Sequence, residues 1–478
     1  MDFKNKYMLK KTLYGLVVIF VVLALGACSA GSGKDSGEVS WATMGQILEQ
    51  IKAPVFPDAV FDVTEFGAIA DGQTKSTQAI NNAIEACSTA GGGKVLIPEG
   101  VFLTGAVHLK SNVNLHLAEG AVLKFSRNPE DYLPMVFTRW EGTELWNYSP
   151  FVYAYGQENV AITGQGTLDG NSDKDNWWFW KGAWSRKTWE ITPENQANAT
   201  ARLRQMAEDG VPVDDRVFGP GHYLRPKFIQ FYKCKNILMD GVTIIDSPMW
   251  VIHPVLSENI TIQNVSVISH GPNNDGCNPE SSRNILIQDS YFDTGDDCIA
   301  IKSGRNADGR RLDVPSENIV VRRCTMRDGH GGVVMGSEIS GNVRNVFAED
   351  CIMDSPNLDR IIRIKTNSTR GGIIENIFVR NINVGRVRQA ILHIDFDYEE
   401  GDAGKFTPIV RNIHIDNVTS QQSDRALFIN AYERAPVTGI YIKNSSFNGV
   451  SRENMINYVE DLFLDNVTVN GEPMKGLE

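Results

Sequence analysis

The 478-residue sequence is short of cysteine and of positive charge, and it has almost no helical periodicity. Its seven cysteines form no Cys-x-x-Cys pair, and they and the histidines lack the spacing of a zinc module. Several of the cysteines fall at apolar strand positions. Apart from Cys28, they read as buried free thiols rather than a disulfide frame. There are 58 acidic residues against 46 basic ones, for a net charge of −12, which argues against nucleic acid as a partner. An anionic ligand would have to be held by local Lys and Arg. Apolar residues recur at helical spacing convincingly only over 76–89, and no four-stranded unit repeats, so helical repeats and a propeller are both excluded.

The N-terminal 28 residues read as a targeting segment. Lys4, Lys6, Lys10 and Lys11 precede an apolar run from Leu13 to Ala27, which ends in Leu25-Gly26-Ala27-Cys28. That ending resembles a bacterial lipobox, in which the cysteine is lipidated and becomes the new N-terminus. Loss of residues 1–27 removes those four lysines and Asp2, taking the net charge to −15. Residues 28–54 are then expected to be a tether. The mature protein would be an exported lipoprotein, held to a membrane by its lipid and facing the periplasm or the cell surface.

Residues 55–478 read as one domain. After an alternating stretch at 55–75 comes a short helix at 76–89, with Ser76 as its N-cap and Gly91-Gly92-Gly93 as its stop. Short strands follow at 94–97, 101–104, 107–109 and 113–117. From there a repeat takes over: Asn, then alternating apolar residues, then a small polar turn. The Asn position (or its substitute) is Asn236, Asn259, Asn284, Asn318, Asn345, Asn376, Asn412, Gly439 and Asp461, with an earlier copy at Asn159. Six residues after the nine come Val242, Val265, Ser290, Cys324, Cys351, Ile382, Val418, Ser445 and Val467. All are small or β-branched, as an inward column in a narrow core requires.

The clean steps are 23, 25 and 27 residues. A strand-rich period of that length predicts an all-β solenoid, a single-stranded parallel β-helix of about ten coils, with the helix at 76–89 capping its first edge. Two insertions, at about 126–156 and 168–224, hold Trp140, Trp146, Trp177, Trp178, Trp180, Trp184 and Trp189. Most of these rings are expected to pack the loops onto the coil, and some to face a cleft where sugar rings could stack.

The chemistry concentrates on a few rungs. Asp275 lies 21 residues before the adjacent pair Asp296-Asp297, and each sits beside glycine. Successive coils are ~4.8 Å apart, so equivalent positions crowd the carboxylates and drive their proton affinities apart. Glycosidic hydrolysis needs such a set, one group to protonate the leaving oxygen and another to activate water. The following rungs carry His330, in Gly329-His330-Gly331-Gly332, and then Arg363 and Lys365 on one strand face. Arg matches a carboxylate with two parallel hydrogen bonds, and Lys adds a point charge.

Asn273-Asn274-Asp275, Gly295-Asp296-Asp297, Gly329-His330-Gly331 and Arg363-Ile364-Lys365 resemble, in order, the four motifs of the polygalacturonase family, the family-28 glycoside hydrolases. Asn274 stands where the family usually has Thr. The likeness extends to Phe66-Gly67-Ala68, Ala70-Asp71-Gly72 and Leu103-Thr104-Gly105. It implies a right-handed β-helix and inverting hydrolysis of α-galacturonosidic bonds in a pectic polysaccharide or oligogalacturonide. The protein is expected to be a monomer without cofactor or metal. By that resemblance Asp296 would be the general acid, Asp275 and Asp297 would hold and deprotonate the water, and His330 would tune the acid. Arg363 and Lys365, with Asn273, would bind substrate. Residues 304–311 and Gly336-Ser337-Glu338 resemble bacterial exo-acting members. Three alternatives stay open: a rhamnogalacturonan hydrolase, a β-helical pectate lyase and a non-catalytic glycan-binding lipoprotein.

Overall fold

The computed structural model describes residues 39–476. Cys28 and the apolar run before it lie outside them. No helix among the described residues is long and apolar enough to cross a membrane. The chain winds into a right-handed parallel β-helix. Along one wall, strands such as Lys235–Asp240, Glu258–Gln263, Arg283–Gln288 and Ser316–Arg322 pair in register, one per coil. The stack continues beyond the repeat legible in the sequence, through Val60–Asp62, Gly93–Ile97 and Val113–Leu117 on the N-terminal side.

The register puts like on like. Ile237, Ile260, Ile285, Ile319, Val346, Ile377, Ile413 and Ile440 form one buried column. The nine residues expected to point inward, from Val242 to Val467, are all buried. The cysteines at 87, 234, 277, 298, 324 and 351 are free and buried, the first on the capping helix.

The asparagines form a ladder. Each of Asn318, Asn345, Asn376 and Asn412 donates its side-chain amide to the Asn Oδ1 of the rung before, at 3.0, 3.0, 3.0 and 2.6 Å. Their φ angles lie between 58° and 60°, a left-handed conformation that Asn tolerates better than most residues. One residue type thus turns the chain and bonds the coils.

The helix Thr77–Thr89 covers the first coil with Ala79, Ile80, Ala83, Ile84 and Cys87. Ser76 does not cap it through its side chain; its hydroxyl instead accepts from the Ile69 N–H at 3.0 Å. The expected tether is corrected in part. Trp41–Gln50 is a helix whose Met44 and Ile47 pack with Leu286, Val320, Phe347 and Phe378 on the outer wall.

A second wall carries Ile229–Tyr232 and Ile252–Val255, then Ile299–Ile301, Val333–Met335, Arg360–Lys365 and Ala390–Asp395. Between the two groups the pairing thins to isolated bridges at Cys277 and Glu280. Pro279, which has no N–H to give, lies between them. This wall runs past every candidate site residue from Asp275 to Lys365.

Replacing Asn345 by Ala removes two ladder bonds and leaves at a left-handed position a residue without the tolerance of Asn for that conformation, whereas Gly removes the bonds alone. Urea unfolding should show a loss of about 2–4 kcal/mol for Asn345→Ala and a smaller loss for Asn345→Gly. Equal losses would show that the left-handed conformation carries no cost.

Candidate active site

The ladder of the second wall pairs Cys277 with Ile299, Ile299 with Val333, and Val333 with Ile362. Two residues before each of the first three stand Asp275, Asp297 and Gly331; one residue earlier stand Asn274, Asp296 and His330. The acids therefore occupy equivalent corners of successive coils. Backbone bonds fix the stacking: Gly276 N donates to Asp297 O at 3.0 Å, and His330 N donates to Asp296 O at 3.0 Å. Because the corner is bent rather than extended, the adjacent Asp296 and Asp297 both serve the same region.

Asp297 is wholly buried. Its Oδ2 accepts from Lys365 Nζ at 2.6 Å and its Oδ1 from Arg363 Nη1 at 3.3 Å, two rungs on. Gly331 lies on the intervening rung, where a Cβ would come within 3.3 Å of Asp297 Oδ1 and 2.5 Å of Val334. The gap left by glycine lets the cations reach across. His330 Nδ1 sits 3.0 Å from Asp296 Oδ1. Asp275 accepts from Asn278 at 2.7 Å and lies 3.6 Å from Lys302 Nζ.

Asn273 and Asn274 hold the turn before Asp275. Asn273 Oδ1 accepts from Arg225 at 2.7 Å. Asn274, fully buried, accepts from Gly271 N at 2.7 Å and Ser269 Oγ at 2.6 Å. Its amide also donates to Met249 O.

Asn273, Asp275, Asp296, Lys302, Lys365 and Trp250 line a cavity of about 110 Å³, together with Glu141, Lys181, Arg204, Glu338, Tyr398 and Glu399. That is well below the ~300–1,000 Å³ of drug-sized sites, so it suits one sugar ring rather than a stretch of polymer.

A profile described as "Glycosyl hydrolases family 28" matches residues 221–468. One described as "Rhamnogalacturonase A/epimerase, pectate lyase-like" matches residues 60–120. The structure of a hyperthermoactive exopolygalacturonase from Thermotoga maritima is 46% identical, with a TM-score of 0.88 over 91% of this chain and 97% of that one. A probable polygalacturonase of Vitis vinifera is 29% identical over 84% of this chain and 77% of that protein. An exo-poly-alpha-D-galacturonosidase of Dickeya chrysanthemi is 28% identical over 76% of this chain and 62% of that protein.

The chain belongs to glycosyl hydrolase family 28.

In this family-28 enzyme the insertions build walls rather than stacking platforms. None of the seven insertion tryptophans lines the cavity. Trp177 and Trp180 are packed among Tyr132, Phe151 and Tyr223, and Trp184 stacks on Trp189. The cavity's rings are Trp250, flanked by Lys227 and Lys302 at 4.0 and 4.5 Å, and Tyr398, close to both Arg363 and Lys365. Buried ion pairs pin the insertions in place: Arg139 with Glu280 of the coil at 3.1 Å and Arg216 with Asp308 of the short helix Asn306–Leu312 at 2.8 Å. On the other side Arg305 and Arg370 both grip Glu399 and Glu400, holding segment 396–408 over the cavity. Lys302 and Glu338, 3.0 Å apart, join that network to the acids. Sequence reasoning missed Lys302, Trp250, Tyr398 and Arg225. The one available signal was Gly336-Ser337-Glu338, which places Glu338 here.

The electrostatics separate the three acids. Burial and then the Asp296 charge push Asp275 well above the usual carboxylate range, and Lys302 offsets this only in part. Burial also pushes Asp297 up, but Lys365 and Arg363 outweigh it and hold the group ionised. For Asp296 burial is likewise the largest influence, and His330, Lys365 and Arg363 together reverse it. The Asp296 charge raises His330 against the opposing effect of its burial.

The His330–Asp296 pair should therefore stabilise the fold in full between about pH 4 and pH 6.5, above the ordinary carboxylate value and below that of free imidazole. The contribution fades as pH rises through the raised value of His330, and again as pH falls through the lowered value of Asp296. Urea unfolding across this range should show the gap between wild type and His330→Gln widest near pH 5–6 and narrowing above it. A gap independent of pH would contradict the pairing.

Proposed function

We propose that this glycoside hydrolase cleaves α-linked galacturonan from a chain end, releasing galacturonate one unit at a time with inversion. The observation that carries the reading is the stack itself: an ionised Asp297, a proton-sharing Asp296–His330 pair and Asp275 on adjacent corners, in a one-sugar cavity whose cations include Lys365, Lys302, Lys181 and Arg204. The relatives named above supply the substrate class, and the Thermotoga and Dickeya proteins the exo action.

Asp296 donates its proton to the glycosidic oxygen as the bond from that oxygen to the anomeric carbon breaks. Water forms the new bond to that carbon from the opposite side, and Asp297 takes the water's proton. Before the reaction the proton of the acid pair rides on His330. A substrate carboxylate binding near Lys365 and Arg363 would weaken their hold on Asp296 and let that proton pass across the 3.0 Å Nδ1···Oδ1 contact. Asp275, with its raised proton affinity, positions the water rather than competing for its proton. The resemblance had Asp275 and Asp297 share the base role; the charges favour Asp297.

The exo reading rests on Glu141, Lys181 and Arg204, which come from both insertions and line the cavity together with Asp275, Asp296 and Glu338. Glu141 and Arg204 bind each other at 2.9 Å, joining the two insertions. A calcium-dependent lyase would need the carboxylates free for a metal and a cation free as base. Here Asp297 is bound by Lys365 and Arg363, and Asp296 is paired with His330. We also propose that Cys28 carries the lipid of an exported lipoprotein, on the strength of the lysine-rich start and the lipobox-like Leu25-Gly26-Ala27-Cys28.

Asp296→Asn should lower kcat by about 10²–10⁴, the range of a general acid's contribution, with KM little changed. Wild type on polygalacturonate should release only monomer in the first turnovers. A ladder of oligomers would reject exo action, products absorbing in the ultraviolet would mean a lyase, and cleavage confined to rhamnogalacturonan would move the substrate.

A further inference from the structure

The same wall carries a second cavity, of about 370 Å³, further toward the C-terminal end. It is lined by Arg388, Arg425, Arg452, His393, Phe428 and Asp424, among others. Its place follows from register. Ile299 pairs with Val333, Val333 with Ile362, and Ile362 with Leu392, so His393 lies three steps, ~15 Å at ~4.8 Å per rung, from the rung that follows Asp297. His393 pairs directly with Arg363 on one side and Phe428 on the other. The cavity is thus a continuation of the active-site face beyond Arg363.

Its lining is built for an anion. Arg360, Ala390 and Arg425 share one register column, with the small Ala390 between the two arginines. Arg425 gives its Nε to the Glu453 carbonyl at 2.9 Å and has no ion pair among the described residues. Arg388 is tied to Asp359 at 2.5 Å, and Arg452 only loosely to Asp424 at 3.7 Å. The floor is His393, 7% exposed, stacked on Phe428 at 4.3 Å with the rings 5° apart. The Nδ1 atom of His393 is buried with no hydrogen-bond partner. Burial first, then Arg360, Arg363 and Lys365, keeps this imidazole neutral. The neutral ring adds no charge to the crowd of positive groups.

We propose that Arg388, Arg425 and Arg452, over the His393–Phe428 floor, form a distal binding site for a carboxylate of the uronic-acid polymer, on the leaving-chain side of the cleaved bond. It rests on the galacturonan reading and extends it to chain length. A dimer cannot reach this site from the catalytic corner, whereas a longer chain laid along the wall crosses Arg363 and arrives at Arg425. The site would anchor the polymer between successive removals of its end unit. Its chemistry is that of a polyanion with apolar ring faces: guanidinium for the carboxylates, the edge of the aromatic stack for the sugar.

The test compares wild type with Arg425→Ala/Arg452→Ala and with His393→Phe, which keeps a ring on Phe428 but removes the nitrogens. Kinetics are measured on long polygalacturonate and on digalacturonate, and calorimetry measures hexagalacturonate binding. The double variant should raise KM for the polymer at least tenfold, leave kcat alone and leave both constants for the dimer unchanged; His393→Phe should shift the polymer KM in the same direction. An unchanged polymer KM, or an equal rise for the dimer, would overturn the site. If wild type cleaves neither substrate, the galacturonan hydrolase reading fails on its own, and calorimetry decides the site. Hexagalacturonate bound at least tenfold more weakly by the double variant upholds it; equal binding, or none to wild type, overturns it.

Discussion

The reach of Lys365 and Arg363 across two coils to Asp297 is the interaction on which the active site depends. A fully buried carboxylate is costly unless it is paired and hydrogen-bonded. Here the partners come from a strand two rungs on, at 2.6 and 3.3 Å, through a gap held open by Gly331. Removing either cation leaves the buried charge only partly compensated. The parallel register makes this arrangement cheap to specify, because a strand that alternates Arg363, Ile364, Lys365 must send both cations to one face and Ile364 into the core.

From that pair the other charges follow. With Asp297 held ionised, Asp275 and Asp296 cannot both lose their protons without cost, and the cations nearest each decide which does. Asp296 has His330 at 3.0 Å; Asp275 has Lys302 at 3.6 Å, shared with Glu338. Two carboxylates of one kind thus acquire different duties from neighbours supplied by neighbouring rungs. The loops act on the same charges from outside: Glu399 and Glu400 occupy Arg305 and Arg370, so those guanidinium groups fix a wall rather than bind substrate.

What could be read from the chain before folding was whatever recurs with the coil. The Asn ladder, the inward column and the order of Asp275, Asp296, His330, Arg363 and Lys365 are all periodic, and a period translates directly into stacking. Residues whose role depends on a crossing between distant segments left no such mark. Arg225 reaches Asn273 from the end of an insertion, Glu141 meets Arg204 between two insertions, and Trp250 stands out only because Lys227 and Lys302 flank it. The insertion tryptophans misled for the same reason: their number suggested sugar stacking, and their surroundings are other aromatic rings. The helix Trp41–Gln50 was hidden because its apolar face is complete only against Phe347 and Phe378, some three hundred residues away.

The central claim is that Lys365 keeps Asp297 ionised so that it can serve as the base. The direct measurement is the pH dependence of kcat/KM for wild type and for the residual activity of Lys365→Met. With the ammonium gone, the Asp297 carboxylate should take up a proton at higher pH, so the acidic limb should move up by at least about one pH unit, equivalent to ~1.4 kcal/mol of lost charge stabilisation. An acidic limb that stays where it is in the wild type would contradict the account, and would assign the base to another group.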